Sequence, residues 1–262
     1  MTARPNAHEA AANLVAAPLT LSDIGASVRF GLGQFRAMPL ISATFAALFV
    51  AVGVLMYAVL EFGEIAPMSL SLAGGFMLVG PALLVGFFSL SDKLRKARHV
   101  GFGDIWEGFR RMPRGGWVVS FVCGLLFLIW ITDAGILYGF MVGRESFGFL
   151  RLLRIEGVVV NYAAYSAIMG AVLAFILFTV SAFSIPLIYD GRAQLVSGVV
   201  ASVRAVFGHF GVMMCWALLL SAVIIVSALL LPLLLVTLPV MAYASRELYL
   251  RAFPTPGGAE RA

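Results

Sequence analysis

Residues Gly211–Ala244 form a long run without one charged side chain. As a single straight helix rising about 1.5 Å per residue, the run would be about 50 Å long, against a hydrocarbon core of about 30 Å. It must be either two spans joined by a tight turn near Pro232, or one span followed by an interfacial segment. Four further apolar runs lie at about 39–60, 68–90, 117–141 and 158–188. Each suits a membrane helix of about 20 residues. With 61% apolar and 12% charged residues, the chain lies far from a soluble domain, which carries roughly 25% charge.

The segments between the runs carry a pattern of their own. Ala182–Phe210 closes one run at Pro186 and Asp190. It then sets Val196, Val199, Val200, Val203, Val206 and Phe207 on one helical face, with Arg192, Gln194, Ser197 and Arg204 off it. Ahead of the first run, Ile24, Val28, Leu32 and Phe35 recur at spacings of four, four and three, and Ser22 or Asp23 can cap the start. In the most basic loop, Asp104 can cap a short helix whose Ile105, Trp106, Phe109 and Met112 share a face.

These lead-ins end alike. Phe35-Arg-Ala-Met-Pro39 and Phe109-Arg-Arg-Met-Pro113 are near copies, and Phe207-Gly-His-Phe-Gly211 is a weaker third. Pro81, Pro186 and Pro239 each fall late in the second apolar run of a unit and mark, with Asp190, the hairpin exits. The order of lead-in helix, span, span with proline and polar exit thus recurs three times, which makes an internal repeat the expectation.

Charge decides between five spans and six. With six spans and both termini inside, 15 of the 18 Lys and Arg face the cytoplasm, and only Arg144, Arg151 and Arg154 lie outside. With five, Arg246, Arg251 and Arg261 move outside and the division is 12 against 6. Six spans, with both termini cytoplasmic, fit the positive-inside rule better. The formal charge of +5 is then explained by cytoplasmic loops, and nucleic acid is not an expected partner.

Three stretches carry a family likeness: GFMLVGPALLVGFFSLSDKLRKA at Gly75–Ala97, FSIPLIYDGRAQLVSGVVASVRAVFGHFGVMMCWALLL at Phe183–Leu220, and LPVMAYASRELYLRA at Leu238–Ala252. On these the chain resembles an uncharacterised bacterial family of predicted integral membrane proteins, a domain of unknown function loosely labelled cytochrome c oxidase subunit I-like. The resemblance covers roughly residues 20–252. It implies a bacterial inner-membrane location and no established activity. Family members tend to carry two histidines in the last motif, where this sequence has Tyr243 and Glu247, so histidine ligation of a metal or haem is not expected there.

The residues themselves point away from cofactor chemistry. His8, His99 and His209 are scattered, none pairing with another at a helical spacing, as haem ligation at membrane depth requires. Cys123 and Cys215 sit alone in apolar runs and read as packing residues. No phosphate-binding loop, HExxH or GxSxG occurs, so neither a cofactor nor enzymatic activity is expected. One ionisable side chain stands out: Asp133, a little past the middle of the third span beside Thr132. A carboxylate there faces a bundle interior or water by default. It either relays protons or binds a cation, or it merely reaches Thr132 or another hydroxyl and fixes packing; packing is the favoured reading. Gly135, Gly139 and Gly143 repeat every four residues on the same span and suit close helix packing, within the chain sooner than between copies. Asp190 and Arg192 can pair across their turn or stay solvated, the latter favoured.

The sequence therefore predicts an all-α polytopic membrane protein: six transmembrane helices as three hairpins, each led by an interfacial amphipathic helix. Residues 1–20 and 253–262 are expected to be disordered cytoplasmic tails around one membrane domain, 21–252, whose last run divides into 211–231 and 232–250. The lipid bilayer is the expected partner, with a second copy or another membrane protein beside it. A non-enzymatic accessory or scaffold role ranks first. A small transporter or channel, with Asp133 lining a polar cavity, ranks second.

Overall fold

The computed structural model describes residues 14–69, 71–73, 84–143, 148–149 and 157–254, and every regular element among them is a helix. In chain order these are α1 (Leu21–Ala37), α2 (Pro39–Phe62), α3 (Val85–Arg95), α4 (Gly103–Arg111), α5 (Arg114–Met141), α6 (Gly157–Ser181), α7 (Ser184–Tyr189), α8 (Leu195–Gly208), α9 (Phe210–Leu229) and α10 (Leu234–Ala252). Five stretches are long and apolar enough to cross a membrane: α2, α5, α6 with α7, α9, and Leu231–Ala252. In the second sequence-predicted span, residue 70 and residues 74–83, Pro81 included, lie outside the described residues.

The long uncharged run resolves into two helices. α9 ends at Leu229, Leu231–Leu233 form one 3₁₀ turn around Pro232, and α10 begins at Leu234. Thr237 then donates its hydroxyl to Ser227 at 2.8 Å. Ten residues along a straight helix would separate them by about 15 Å, so the chain doubles back.

α10 is the axis of the bundle. Of its most apolar window 67% is buried, against 22% for α2 and for α5. α1 runs along its charged half, with Gly31 against the Val240 carbonyl and 3.0 Å from the Ala244 nitrogen, measured from where a Cβ would stand. Asp23 closes the start of α1 by accepting the Thr20 amide at 2.9 Å and hydroxyl at 2.6 Å, so the chain starts the helix one or two residues before the expected cap.

The lead-in helices bury a different stripe from the one their large apolar residues mark. α1 buries Ile24, Ser27, Gly31 and Gln34 and leaves Val28, Leu32 and Phe35 half-exposed. α8 buries Ser197, Gly198, Ala201, Ser202, Ala205 and Val206, while Val196 and Phe207 are 66% and 55% exposed. In lipid, large apolar side chains gain little by leaving the surface, whereas small residues let backbones approach. Of the three joints, Met38 and His209 share a backbone conformation, φ −142 and ψ 59 against φ −123 and ψ 41, while Met112 is extended at φ −62 and ψ 119. Met38 and Met112 are both buried directly before Pro39 and Pro113, and His209 separates α8 from α9 by one residue.

Candidate functional site

The described part of the molecule concentrates its buried charge at one end of α10. Arg246 is 3% exposed. Its Nε and Nη2 donate to the two carboxylate oxygens of Asp92 at 3.0 and 2.8 Å, and its Nη1 and Nη2 donate to those of Asp190 at 3.1 and 2.6 Å. The Tyr249 hydroxyl adds a third donor to Asp190 at 2.8 Å. The guanidinium also sits 5.6 Å from the ring centres of Phe88 and Tyr189. Two carboxylates, planar forks and aromatic faces together satisfy a charge that would otherwise be costly to bury.

Each partner comes from the end of a different element. Asp92 lies in the last turn of α3, and Asp190 caps α7. Gly191 follows in the left-handed region at φ +68, which turns the chain sharply enough for the Arg192 amide to reach the Leu187 carbonyl at 3.0 Å. Arg192 does not pair with Asp190. Its Nη1 donates to the Phe253 carbonyl at 2.5 Å and ties the exit turn to the end of α10.

A second set occupies the neighbouring face. Glu247 accepts from Arg95 and, at 2.9 Å, from Arg251, whose Nη1 reaches Asp23 at 3.1 Å. Arg95 also covers the Phe30 ring at 4.2 Å. Beyond it, Lys93 joins Asp104 and Glu107 of α4 at 2.5 Å each. Hydrogen bonds to Asp104 first and Glu107 second hold the Lys93 ammonium above its ordinary range. The Lys93 hydrogen bond likewise holds Glu107 below its own.

Next to this charged end lies an apolar cavity of about 920 Å³. α2, α4, α5, α6, α7, α9 and α10 all contribute to its wall, and Arg110 is the one charged side chain among the described residues lining it. Asp133 is not among them. It is half-buried, and the Thr132 hydroxyl donates to the Leu128 carbonyl at 2.8 Å instead of to Asp133. The cavity is thus apolar and does not include Asp133.

The remaining candidates are dispersed. A Cβ at Gly139 or Gly143 would meet nothing within 4 Å, and one at Gly135 only the Met68 methyl at 3.9 Å, so the glycine row makes no close helix contact within the described chain. That contact falls to Gly170, which the Trp130 ring overlies. Trp130 donates to the Ser71 carbonyl at 2.9 Å, and the Ser71 hydroxyl meets Tyr162 and Ser166 at 3.0 and 2.7 Å. Pro186 and Pro239 are buried, in α7 and α10. Cys123 is buried but Cys215 is exposed, against the packing role expected of both. The His209 ring meets the Ala205 carbonyl at 3.3 Å through Nδ1, and no cluster of three metal-ligating side chains occurs among the described residues.

The positions where family resemblance implied histidines carry other work here. The Tyr243 hydroxyl meets Ser42 at 2.7 Å in a fully buried pair, and Glu247 is spent on two arginines. Sequence reasoning missed Arg246, Asp92, Glu247 and Tyr249. The available signal was an adjacent charge pair, Arg246-Glu247, in the second half of a helix whose first half is apolar.

Residues 68–190 match the family described as predicted integral membrane protein (DUF2189). The matched stretch includes Asp92, Pro186 and Asp190, and Arg246 lies beyond it. No curated protein and no solved structure matches the chain.

Proposed function

We propose, starting from the match of residues 68–190 to a family of integral membrane proteins, that this chain is a non-enzymatic accessory or scaffold component of a bacterial inner membrane. The observation that carries the reading is the bond of Arg246 to both Asp92 and Asp190. The largest polar constellation on the described chain is consumed in holding three chain exits together, which is a structural duty.

The same contacts support six crossings with both termini in the cytoplasm. The Ala17 amide donates to the Ala252 carbonyl at 2.8 Å, and this proximity of the two ends of the membrane domain supports an even number of crossings. Lys93, Arg95, Arg192 and Arg251 gather at that end, and basic residues mark the cytoplasmic side. At the far end of α2, Glu61 accepts the Phe149 amide at 2.9 Å. The meeting of Asp92, Asp190 and Arg246, each at the exit of a unit, favours a threefold internal repeat.

A second reading, a carrier for an apolar solute, draws on the cavity alone. Two measurements separate the readings. An impermeant maleimide on Gly257→Cys, with Cys215 replaced, labels only after the membrane is opened; labelling of intact cells overturns the topology. Reconstituted in vesicles, the chain passes no ions, and a current abolished by Asp133→Asn overturns the scaffold role in favour of a channel.

A further inference from the structure

We infer that the cavity beside α4 is a binding site for an anionic phospholipid, one acyl chain lying inside and the headgroup held at Arg110. The inference requires membrane insertion and depends on neither the scaffold role nor transport. The volume of about 920 Å³ falls at the upper end of the roughly 300–1,000 Å³ typical of ligand sites. Its wall is apolar, with Phe45, Phe49, Phe178 and Trp216 among the lining side chains. The Ser245 hydroxyl in the wall is already committed to the Met241 carbonyl at 2.8 Å. Such an interior accepts hydrocarbon and offers little to a polar solute.

The opening faces lipid. Leu48 and Val52 on α2 are 61% and 47% exposed, and Trp117 at the start of α5 is 51% exposed. All three line the cavity, so an acyl chain can pass sideways between these helices without crossing water. Trp106 and Trp117 stand at the rim, where tryptophan favours the membrane–water boundary. A lipid whose headgroup stays at that boundary needs no desolvation of its charge.

Arg110 supplies the sign. Arg111 is paired with Glu107, and Lys93 with Asp104 and Glu107. Arg110 lines the cavity, is exposed, and makes no ion pair among the described residues. A guanidinium is shaped for bidentate bonds to phosphate. One free cation at the lip of a hydrocarbon-lined cavity matches an anionic headgroup above a chain, and a zwitterionic headgroup less well.

Trp216 is a built-in reporter, 3% exposed and in the cavity wall. The full chain carrying Trp106→Phe and Trp117→Phe is reconstituted in phosphatidylcholine vesicles containing acyl-brominated phosphatidylglycerol or acyl-brominated phosphatidylcholine at equal mole fraction. The same chain with Trp216→Phe gives the background from Trp130. The expected result is at least twofold stronger quenching of Trp216 by the brominated phosphatidylglycerol, a difference erased by Arg110→Gln. Ala174→Phe, which narrows the cavity, or Val52→Phe at the rim where that variant misfolds, removes quenching by both lipids. Equal quenching by the two lipids, a preference that survives Arg110→Gln, or quenching that survives the filled cavity overturns the assignment.

Discussion

Arg246 grips Asp92 in a two-pronged bond, Nε to one carboxylate oxygen at 3.0 Å and Nη2 to the other at 2.8 Å, across 154 positions of sequence. With Asp190 on the remaining edge of the guanidinium, one side chain of the central helix fixes where two other apolar segments stop. Apolar spans can slide along one another at little cost in lipid, where the hydrophobic effect does not drive helices together. A buried, geometrically specific ion pair supplies the register that apolar packing lacks.

Removing the arginine therefore costs more than removing either acid. Arg246→Met leaves two carboxylates facing each other at a buried site, and breaking a buried pair typically costs about 3–5 kcal/mol. Asp92→Asn keeps the Asp190 bond and costs about 1–3 kcal/mol. Thermal unfolding of the purified chain, followed by fluorescence-detected size exclusion, ranks these variants. A melting point for Arg246→Met at or above that of Asp92→Asn would refute the order.

Gly31 tests how α1 is held. A side chain there would overlap the Val240 carbonyl and approach the Ala244 nitrogen to 3.0 Å, and backbone cannot yield as a flexible side chain can. Gly31→Leu forces α1 off α10 and weakens the reach of Arg251 to Asp23. Gly33→Leu, where nothing stands within 4 Å, is the control. Protease cleavage within 21–37 rises for the first variant and stays at the parental rate for the second.

The spans and joints were legible because charge exclusion over about 20 residues and proline at a helix start are local signals. The division of the last run near Pro232 was legible for the same reason. Periodicity located the apolar stripes of the lead-in helices but not the residues that meet protein. α1 buries Ser27, Gly31 and Gln34 beside Ile24 while Val28, Leu32 and Phe35 stay half-exposed, and α8 likewise buries Gly198 and Ala201. Apolar periodicity reports burial only when water is the alternative. The Arg246 site stayed hidden because its partners lie on three elements, and nothing local distinguishes Asp92 from a solvated loop acid. Asp133 attracted notice for the opposite reason, being alone in its span, and the cavity lies elsewhere.

The α3–α4 contact responds to pH at both extremes. Lys93, raised above its ordinary 10.5 by Asp104 and Glu107, contributes stability below that value, lost as pH rises through its folded pKa. Glu107, lowered from its ordinary 4.5 chiefly by Lys93, contributes stability above that value, lost as pH falls through its own. α4 is accordingly docked across neutral pH and loosened outside both limits. A nitroxide on Phe102→Cys, in a chain freed of other reactive cysteine, gains mobility as pH falls through the Glu107 titration and as it rises through that of Lys93. Lys93→Met makes the label mobile throughout, and a flat profile for the parent chain would exclude the mechanism.

Tyr243 and Ser42 provide the sharpest test of the central packing. Both are fully buried, and their hydroxyls meet at 2.7 Å between α2 and α10. Tyr243→Phe leaves the ring in its edge contact with Phe87 but strands the Ser42 hydroxyl, and an unsatisfied buried hydroxyl costs about 1–3 kcal/mol. Ser42→Ala strands the tyrosine instead, at a similar cost. Changing both removes the two polar groups together, so the double variant is more stable than the sum of the single losses allows. A positive coupling of about 1 kcal/mol in that double-mutant cycle is the expected result. Strict additivity would mean that water or another hydroxyl already serves one partner, and that Tyr243 holds α2 through its ring alone.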